Sequence, residues 1–295
     1  MPDASRPPAG APAAGQPPDV FADFTFTPVL PGNDRVALAV GDGIAIVRMA
    51  RPDRMNALDT ALSQALNAAF GRVEHDPAIR AVIVTGGPVF MAGGDVKSFA
   101  AHATTAPETR RAEFVGMFAS AHGTIHSLRR MGKPVIAAVN GSAAGYGLSL
   151  MLACDLVICA EDAVLTAAYC LIGTSPDGGM SYHLPRAVGT KKAMELVLTG
   201  DRFSAAEAER WGMVNQVLPA AEVEGAVLAL ARRLAKGPPL ALARSKALLN
   251  RSSEGGLDAQ LNAEQQCFVD SALTRDFAEG VTAFVQKRKA DFNGT

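Results

Sequence analysis

The sequence predicts an α/β fold, and two patterns carry that prediction. Short β-branched apolar runs, such as residues 82–85 (VIVT) and 135–139 (VIAAV), are typical of strands buried on both faces of a sheet. Stretches with helical periodicity lie between such runs over the first two thirds of the chain, and from Ala205 onward the pattern predicts helices alone. The 295 residues, 48% of them apolar and 19% charged, are enough for a large core.

The first elements can be justified in chain order. Residues 1–33 are rich in Pro, Ala and Gly, lack the basic and apolar segments of a signal peptide, and predict a disordered tail. Residues 36–40 and 44–49 flank a Gly-Asp-Gly turn, which predicts a hairpin. The next segment predicts a helix that ends at a His-Asp-Pro sequence (75–77), because its apolar residues fall on one helical face. Those residues are Leu62, Leu66, Ala69, Phe70 and Val73.

The later part of the chain predicts one loop and several helices. Residues 100–112 are polar and weakly patterned, which predicts a mobile loop. Breaks between helices are expected at 237–239 (Gly-Pro-Pro) and at 252–256. A helix before the first of these breaks has an apolar face beyond what an α/β core needs to cover, which predicts an oligomer interface. That face consists of Val227, Leu228, Leu230, Ala231 and Leu234.

Composition excludes some classes of function. A net charge of −1 and a pI near 6.5 argue against nucleic-acid binding, which needs a basic surface. No uncharged run of about 18 apolar residues occurs, so no membrane span is expected. The cysteines form no C-x-x-C pair, which predicts buried, reduced thiols and a cytoplasmic location. They are Cys154, Cys159, Cys170 and Cys267.

Two glycine-rich segments are candidates for binding a negatively charged oxygen. In MAGGDVK (91–97) and in VNGSAAGYGLSLMLACD (139–155), a Gly-rich turn opens a predicted helix directly after an apolar, β-prone run. The first N–H groups of a helix have no partner within it and can stabilise an oxyanion. The alternative is that both segments are tight turns without a chemical role.

A third segment, LIGTSPDGGMSYHLPR (171–186), adds one acid, Asp177, between Pro176 and Gly178. Two oxyanion donors and a lone carboxylate are the minimum needed to move a proton next to a thioester carbonyl. Pro-Asp-Gly is also a favoured β-turn sequence, which leaves a purely structural role for Asp177 open.

Nine segments, in order along the chain, resemble the enoyl-CoA hydratase/isomerase (crotonase) family over residues 35–292. The resemblance implies a ββα spiral core over residues 34–220 and a C-terminal helical trimerisation region over 221–295, with trimers often paired into hexamers. It also implies an acyl-CoA thioester as substrate, so that coenzyme A is part of the substrate and no separate cofactor is needed. The segments are RPDRMNAL (51–58), AVIVTGG (81–87), MAGGDVKSF (91–99), KPVIAAVNG (133–141), ACDLVICAEDA (153–163), PDGG (176–179), LPRAVG (184–189), ELVLTGDRFSAAEAERWGMVNQV (195–217) and FVQKRKADF (284–292).

The resemblance implies catalytic roles for several residues. The backbone N–H groups of Gly94 and Tyr146 would form the oxyanion hole; the family usually has Gly at the second position, so the Tyr146 ring should narrow the acyl pocket. Asp177 resembles the catalytic aspartate of enoyl-CoA and epoxyphenylacetyl-CoA isomerases and of 4-chlorobenzoyl-CoA dehalogenase. Hydratases of the family carry two glutamates, where this chain has Ser149 and Tyr169. Neither hydroxyl matches a carboxylate as an acid or base near neutral pH, which puts efficient hydration in doubt.

A pair of histidines gives a further candidate. His122 and His126 lie four residues apart on a predicted helix, which puts their rings on one face. A zinc site of the H-E-x-x-H type needs glutamate after the first histidine, where this chain has Gly123, so no metal site is predicted. By its position in the resemblance, His122 matches the histidine that serves the dehalogenase as a base for water. A core or surface histidine without a catalytic role is the alternative.

The resemblance also implies where coenzyme A binds. Arg54, or Lys287 from a neighbouring subunit, is expected to pair with its phosphates, although a solvated surface role is the alternative for both. The residues expected to contact the substrate are Arg54, Met55, Ala57, Ala92, Gly94, Tyr146, Tyr169 and Lys287.

We therefore expect an acyl-CoA-processing enzyme, with double-bond isomerisation by Asp177 as the leading hypothesis. Hydratase or hydrolytic dehalogenase chemistry is the alternative within the family. The alternative in which the protein is not an enzyme is a non-catalytic crotonase-fold protein that binds CoA or RNA. The net charge of −1 disfavours RNA binding. The acyl group cannot be assigned from the sequence, because loops such as residues 100–112 would shape its pocket.

Overall fold

The computed structural model describes residues 20–295, which fold into two β-sheets covered by helices. Within this range the strands are β1 Thr27–Leu30, β2 Asn33–Gly41, β3 Ile44–Met49, β4 Ala81–Thr85, β5 Val135–Val139, β6 Ser142–Ala144, β7 Leu156–Ala160, β8 Val164–Thr166, β9 Arg202–Ser204 and β10 Gln216–Leu218. The helices are α1 Thr60–His75, α2 Val96–Ala103, α3 Pro107–Arg130, α4 Tyr146–Ala153, α5 Met180–Val188, α6 Thr190–Thr199, α7 Ala205–Arg210, α8 Ala220–Ala235, α9 Pro239–Arg251, α10 Leu257–Ala272 and α11 Arg275–Val285. Two short 3₁₀ helices span Pro52–Arg54 and Tyr169–Ile172.

The main sheet has seven strands in the order β1-β2-β3-β4-β5-β7-β10. Strands β3, β4, β5, β7 and β10 run parallel, while β1 and β2 extend one edge in antiparallel pairing. Every residue of β4 and β5 is buried, as their β-branched and small apolar side chains predict. The α/β fold and the buried strands predicted at 82–85 and 135–139 are therefore confirmed.

A smaller sheet, β6-β8-β9, lies beside the main one. Strand β6 follows β5 after a two-residue turn at Asn140 and Gly141, and Gly141 has a φ of +66°. A side chain at Gly141 would approach the Pro88 carbonyl oxygen to 2.7 Å, so only glycine fits this turn. The turn thus directs β6 toward Met91, which forms a parallel bridge with Ala143.

The predicted hairpin and first helix are also confirmed. Strands β2 and β3 pair antiparallel in register from Val36 opposite Met49 to Gly41 opposite Ile44. Helix α1 begins after Asp59, whose side chain accepts a hydrogen bond from the Leu62 N–H and caps the helix. Its five predicted apolar residues are all buried.

Three predictions about loops and termini need correction. Residues 20–33 of the predicted disordered tail are folded, since β1 pairs with β2 and Phe21 is only 1% exposed; residues 1–19 lie outside the described residues. The predicted loop at 100–112 is helical, with the end of α2 and the start of α3 separated by residues 104–106. The region from Ala205 onward is not helices alone, because β10 (Gln216–Leu218) pairs with β7.

The predicted interface face is wrong for α8 itself. Val227, Leu228 and Ala231 are buried in the core, because α8 covers the main sheet over β4, β5 and β7. In the C-terminal region the exposed apolar side chains lie instead on α9 to α11 and in the turn after α10, where Leu273 is 82% exposed, and Phe284 of α11 is 85% exposed. The others of this set are Leu240, Leu249, Leu257, Leu261, Phe268, Val269, Phe277, Val281 and Val285.

Two further features bear on the early predictions. Cys154 and Cys159 are buried as predicted, whereas Cys170 is exposed and Cys267 is half-buried, and all four are free thiols. Burial raises the pKa of the Cys159 thiol to about 12, with a smaller contribution from the nearby Asp162 charge. Within residues 20–295, no helix is both long enough and apolar enough to cross a membrane.

Candidate active site

A cavity of about 730 Å³ opens where the two glycine-rich turns meet α3 and the segment that carries Asp177. Its walls are mainly apolar, and Asp177 is the one carboxylic acid among the described residues that line it. The lining consists of Leu58, Ala92, Gly93, Gly94, Val96, Phe99, Phe114, Met117, Phe118, His122, Gly145, Tyr146, Ala168, Tyr169, Leu171, Ile172, Thr174, Ser175, Pro176 and Asp177. The cavity therefore brings together Gly94, Tyr146, Tyr169, Asp177 and His122, as well as Ala92, from the residues predicted by sequence.

The two glycine-rich turns pack directly against each other. A Cβ at Gly93 would lie 2.9 Å from the Ala144 carbonyl oxygen, and one at Gly145 would lie 3.6 Å from the Gly93 Cα. Gly93 and Gly145 both have positive φ, which a side chain would strain further. Glycine at these positions thus allows the backbones that carry Gly94 and Tyr146 to approach each other.

The N–H groups of Gly94 and Tyr146 are open donors. Tyr146 is the first residue of α4, so its N–H has no partner within the helix, and Gly94 lies two residues before α2. Neither N–H finds a hydrogen-bond acceptor among residues 20–295. Because both residues line the cavity, they can donate to an oxygen bound there.

The Gly94 turn is anchored by charge. Asp95 caps α2 by accepting from the Ser98 N–H, and it forms a salt bridge with Arg51 at 2.9 Å. Burial opposes ionisation of Asp95, but the hydrogen bonds from Ser98 and Arg51 outweigh it and lower its pKa. The Leu58 carbonyl also accepts from the Asp95 N–H at 2.8 Å. These contacts fix the backbone next to Gly94.

The Tyr146 side chain belongs to the cavity wall. Its ring is buried, and its hydroxyl donates to the Ala121 carbonyl at 2.9 Å. The ring packs against Gly178, where a Cβ would meet it at 2.9 Å. Burial raises the pKa of Tyr146, and the charge of Asp177 adds to that shift, so the phenol is neutral.

Asp177 takes part in a closed set of hydrogen bonds. The Tyr169 hydroxyl donates to Asp177 Oδ1 at 2.5 Å. The Ser149 hydroxyl, which is buried, lies 2.9 Å from the Tyr169 hydroxyl and 2.9 Å from the Asp177 backbone carbonyl. Ser149 and Tyr169, for which the sequence resemblance implies the positions of the two glutamates, therefore both contact Asp177.

The electrostatic balance at Asp177 favours its protonated form more than in water. Burial raises its pKa, and the hydrogen bond from Tyr169 and the charge of His122 offset only part of that effect. Burial and the negative charge of Asp177 raise the pKa of Tyr169, which therefore remains a hydrogen-bond donor. An acid with a raised pKa next to open donors is an arrangement suited to general base catalysis near neutral pH.

Of the two histidines, only His122 lines the cavity. Both lie on α3, and the His122 ring stacks on Phe118 with centroids 5.7 Å apart. The residues of the chain from 20 to 295 contain no group of three or more His, Cys, Asp or Glu side chains arranged to hold a metal ion.

The predicted CoA-binding residues divide into two groups. Ala92 lines the cavity, and its N–H donates to the Met55 carbonyl at 3.0 Å, so the segment with Arg54, Met55 and Ala57 borders the cavity without lining it. Arg54 and Met55 are exposed. Lys287 follows the end of α11 and does not line the cavity of its own chain.

The sequence interpretation missed the aromatic residues of the cavity. Phe99 lies on α2, and Phe114 and Phe118 lie on α3. The predicted loop at 100–112 separated these residues, which hid their relationship. The spacing of Phe114, Phe118 and His122 at intervals of four was the signal for one helical face.

Comparisons with known proteins identify the family of this chain. The sequence profile that describes enoyl-CoA hydratase/isomerase proteins matches residues 39–295. The mitochondrial enoyl-CoA hydratase of Pongo abelii is 36% identical, over 84% of this chain and 83% of that protein. The 1,2-epoxyphenylacetyl-CoA isomerase of Escherichia coli (strain K12) is 34% identical, over 86% of this chain and 97% of that protein. The crystal structure of an enoyl-CoA hydratase from Polaromonas sp. JS666 matches with a TM-score of 0.82 at 37% identity, over 88% of this chain and 99% of that one. The predicted crotonase-like fold is therefore confirmed.

Proposed function

Because this chain belongs to the enoyl-CoA hydratase/isomerase family of acyl-CoA enzymes, we propose that it isomerises the double bond of an enoyl-CoA, with Asp177 carrying the proton. The observation that carries the proposal is that Asp177 is the one acid lining the cavity among the described residues. Isomerisation moves a proton from one carbon to another, so a single carboxylate can act first as base and then as acid. Coenzyme A is part of the substrate, and the proposal includes no separate cofactor.

The thioester oxygen would accept hydrogen bonds from the Gly94 and Tyr146 N–H groups. Asp177 then takes the proton from the carbon α to the thioester, and the electrons of that C–H bond enter a dienolate. Asp177 returns the proton to the γ carbon, and the double bond moves from the β,γ to the α,β position. Each N–H donor contributes about 3 kcal/mol to stabilising such an oxyanion, so we expect the two donors to lower the barrier more than any other group of the site.

The hydroxyls of Tyr169 and Ser149 support both states of the carboxyl. When Asp177 is ionised, Tyr169 donates to Oδ1. When Asp177 holds the proton, the carboxyl can donate to Tyr169, Tyr169 to Ser149, and Ser149 to the Asp177 backbone carbonyl. Rotation of the Tyr169 hydroxyl from Asp177 toward Ser149 is thus enough to accommodate each change of the carboxyl, and no buried oxygen loses its partners.

The same network argues against efficient hydration. Adding water across a double bond requires groups that hold the water, remove its proton and protonate the substrate. Ser149 and Tyr169 are neutral and already hydrogen-bonded, which leaves Asp177 without a second acid or base at their positions. We therefore place hydratase chemistry below isomerisation.

One observation favours a second candidate, hydrolytic dehalogenation of an aryl-CoA. His122 lines the cavity and is close enough for its charge to lower the pKa of Asp177. In that reaction Asp177 would attack the ring carbon and release halide, and His122 would activate water to hydrolyse the aryl ester. The Tyr169 hydrogen bond weighs against it, because it reduces the nucleophilicity of one carboxylate oxygen.

Three substrates discriminate between these functions. The purified protein is incubated separately with 3-enoyl-CoA, crotonyl-CoA and 4-chlorobenzoyl-CoA, and the products are separated by chromatography and weighed by mass spectrometry. We expect the 3-enoyl-CoA to give a 2-enoyl-CoA of unchanged mass. Hydration of crotonyl-CoA with a kcat above about 100 s⁻¹, within the normal range for enzymes, would overturn the proposal. Chloride release without isomerisation would favour the dehalogenase, and no reaction with intact CoA binding would favour a non-catalytic protein.

We also propose that the chain assembles as a trimer, or as two trimers in a hexamer, through α9 to α11. The exposed phenylalanine, leucine and valine side chains of these helices support the proposal, because such area is unfavourable in water. In that assembly Lys287, after α11, would reach the CoA phosphates of a neighbouring subunit.

A further inference from the structure

The cavity contains a continuous row of aromatic side chains, which we call the aromatic arc: Phe99, Phe114, Phe118 and His122. Phe99 meets Phe114 edge to face, with centroids 5.2 Å apart and ring planes at 71°. Phe114 and Phe118 follow at 6.3 Å, and Phe118 and His122 stack at 5.7 Å. The arc thus crosses from α2 to α3 through successive ring contacts.

The two ends of the arc lie at the two parts of the proposed chemistry. A Cβ at Gly94 would lie 2.7 Å from the Phe99 ring, so that ring packs on the backbone of the oxyanion turn. At the other end, the charge of His122 acts on Asp177. Gly94, Asp177 and all four rings line one cavity, so an acyl group with its carbonyl oxygen at the Gly94 N–H and its reacting carbons at Asp177 can extend its remaining carbons over the arc.

The protein core does not bury the rings of the arc completely. Phe99, Phe114 and Phe118 are half-buried, whereas core phenylalanines such as Phe70 and Phe90 are completely buried. Because all three half-buried rings line the cavity, part of their remaining surface faces it.

A contact outside the cavity also fixes the position of the arc. His102 on α2 pairs with Glu113 on α3, and the His102 ring lies 6.1 Å from Phe114. This pair links the two helices that carry the arc, and neither residue lines the cavity. A binding surface fixed before the ligand arrives loses less entropy on binding.

From this arrangement we propose that the natural acyl group carries an aromatic ring, which packs against Phe114 and Phe118. The inference rests on the proposed acyl-CoA function for the position of the carbonyl, and it goes beyond that function by naming the substrate class. Aromatic pairs gain energy from edge-to-face and offset contacts beyond the area they bury, whereas an alkyl chain gains only from the apolar area that it buries.

The test uses binding, so it does not depend on isomerisation. Phenylacetyl-CoA, cyclohexylacetyl-CoA and octanoyl-CoA have the same number of acyl carbons and no double bond to move. Their dissociation constants are measured by titration calorimetry with the full-length protein. We expect phenylacetyl-CoA to bind about tenfold more tightly than either of the others, the effect of one or two aromatic contacts. Equal or tighter binding of octanoyl-CoA would overturn the proposal.

Variants of the arc assign the preference to its rings. In Phe118→Leu the preference for phenylacetyl-CoA should fall about threefold or more, as expected for one lost aromatic contact, and in Phe118→Tyr, which keeps the ring, it should persist. Phe26→Leu, at a half-buried ring outside the cavity and outside α9 to α11, is the matched control and should leave it unchanged. A preference that survives Phe118→Leu combined with Phe114→Leu, in protein with an unchanged circular dichroism spectrum, would refute a role for the arc. Isomerisation of 3-enoyl-CoA is assayed in parallel, so failure of the proposed function is seen separately from failure of the ring preference.

Discussion

The Tyr169 hydroxyl donates a 2.5 Å hydrogen bond to Oδ1 of Asp177, the one acid lining the cavity among the described residues. The bond stabilises the carboxylate, while burial of the same group favours the protonated acid. Asp177 is therefore held between two opposing effects. That balance suits a group that must accept and release a proton in each turnover.

Removing this bond should shift the pH dependence of the reaction. In Tyr169→Phe the carboxylate loses a hydrogen bond that lowers its pKa, so the pKa of Asp177 rises further. Since the base form is the active one, the acid limb of kcat/KM for 3-enoyl-CoA should move to higher pH. Tyr182→Phe, which loses a hydroxyl bonded to Glu254 on the surface, is the control and should leave the limb unmoved. If the acid limb of the pH profile does not move in Tyr169→Phe, Tyr169 does not influence the pKa of Asp177.

The burial of Asp177 should also have a cost in stability. Its pKa is raised in the folded protein, so the native state holds this proton more tightly than the unfolded state. The stability that this group contributes is therefore fully present below its unfolded-state pKa of about 3.9. It is lost as the pH rises through the folded-state pKa. Asp177→Asn should consequently melt at the same or a higher temperature than wild type at neutral pH, and the difference should vanish in acid.

Thermal unfolding followed by circular dichroism at several pH values measures this difference. Asp201→Asn, at an exposed position, is the control for replacing an aspartate by asparagine. A clearly lower melting temperature for Asp177→Asn at neutral pH would mean that the charged form stabilises the fold, contrary to the effect of burial.

Parts of the site could be predicted from the sequence because local chemistry determines them. A helix start after a glycine-rich turn leaves N–H groups open, and this held for Tyr146 in α4. The strands β4 and β5 were predictable because each is a short apolar run that is buried throughout. The roles of Gly94, Tyr146 and Asp177 remain predictions, although all three line one cavity.

Other parts of the fold depend on how the helices pack, which the periodicity of the sequence does not determine. Residues 100–112 are polar because much of α2 and α3 is exposed, and the Pro107 that looked like a loop residue is the first residue of α3. The apolar face of α8 was taken for an interface because the sequence does not say which helix covers the sheet. Once α8 occupies that place, the uncovered apolar side chains of the C-terminal region lie on α9 to α11.

The two candidate functions make different demands on His122. A one-carboxylate shuttle needs no second base, so His122→Ala should keep 3-enoyl-CoA isomerisation within about threefold of wild type, because the variant changes the Asp177 pKa and one wall of the cavity but removes no proton-transfer group. His126→Ala, one turn further along α3 and outside the cavity lining, is the matched control. Loss of isomerisation in His122→Ala, in folded protein that still binds CoA, would count against the shuttle.

The proposed assembly has its own test. Light scattering should give a trimer or hexamer of the 30.6 kDa chain, and Phe284→Glu should shift it toward monomer by placing charge in the interface. If Lys287 reaches a neighbouring subunit, Lys287→Ala should weaken CoA binding while the trimer persists, and Lys289→Ala should not. A fully active wild-type monomer would refute both the interface and the shared CoA site.

The most direct test of the central claim is the isomerisation rate of 3-enoyl-CoA by Asp177→Asn at saturating substrate. Asparagine keeps the shape of the side chain and can accept the Tyr169 hydrogen bond, but it cannot take up the α proton. We expect kcat to fall by about 10³ or more, within the range for loss of a general base, while the dissociation constant of an unreactive acyl-CoA changes little. An Asp177→Asn variant that retains more than about a tenth of the wild-type kcat would contradict proton transfer by this carboxyl.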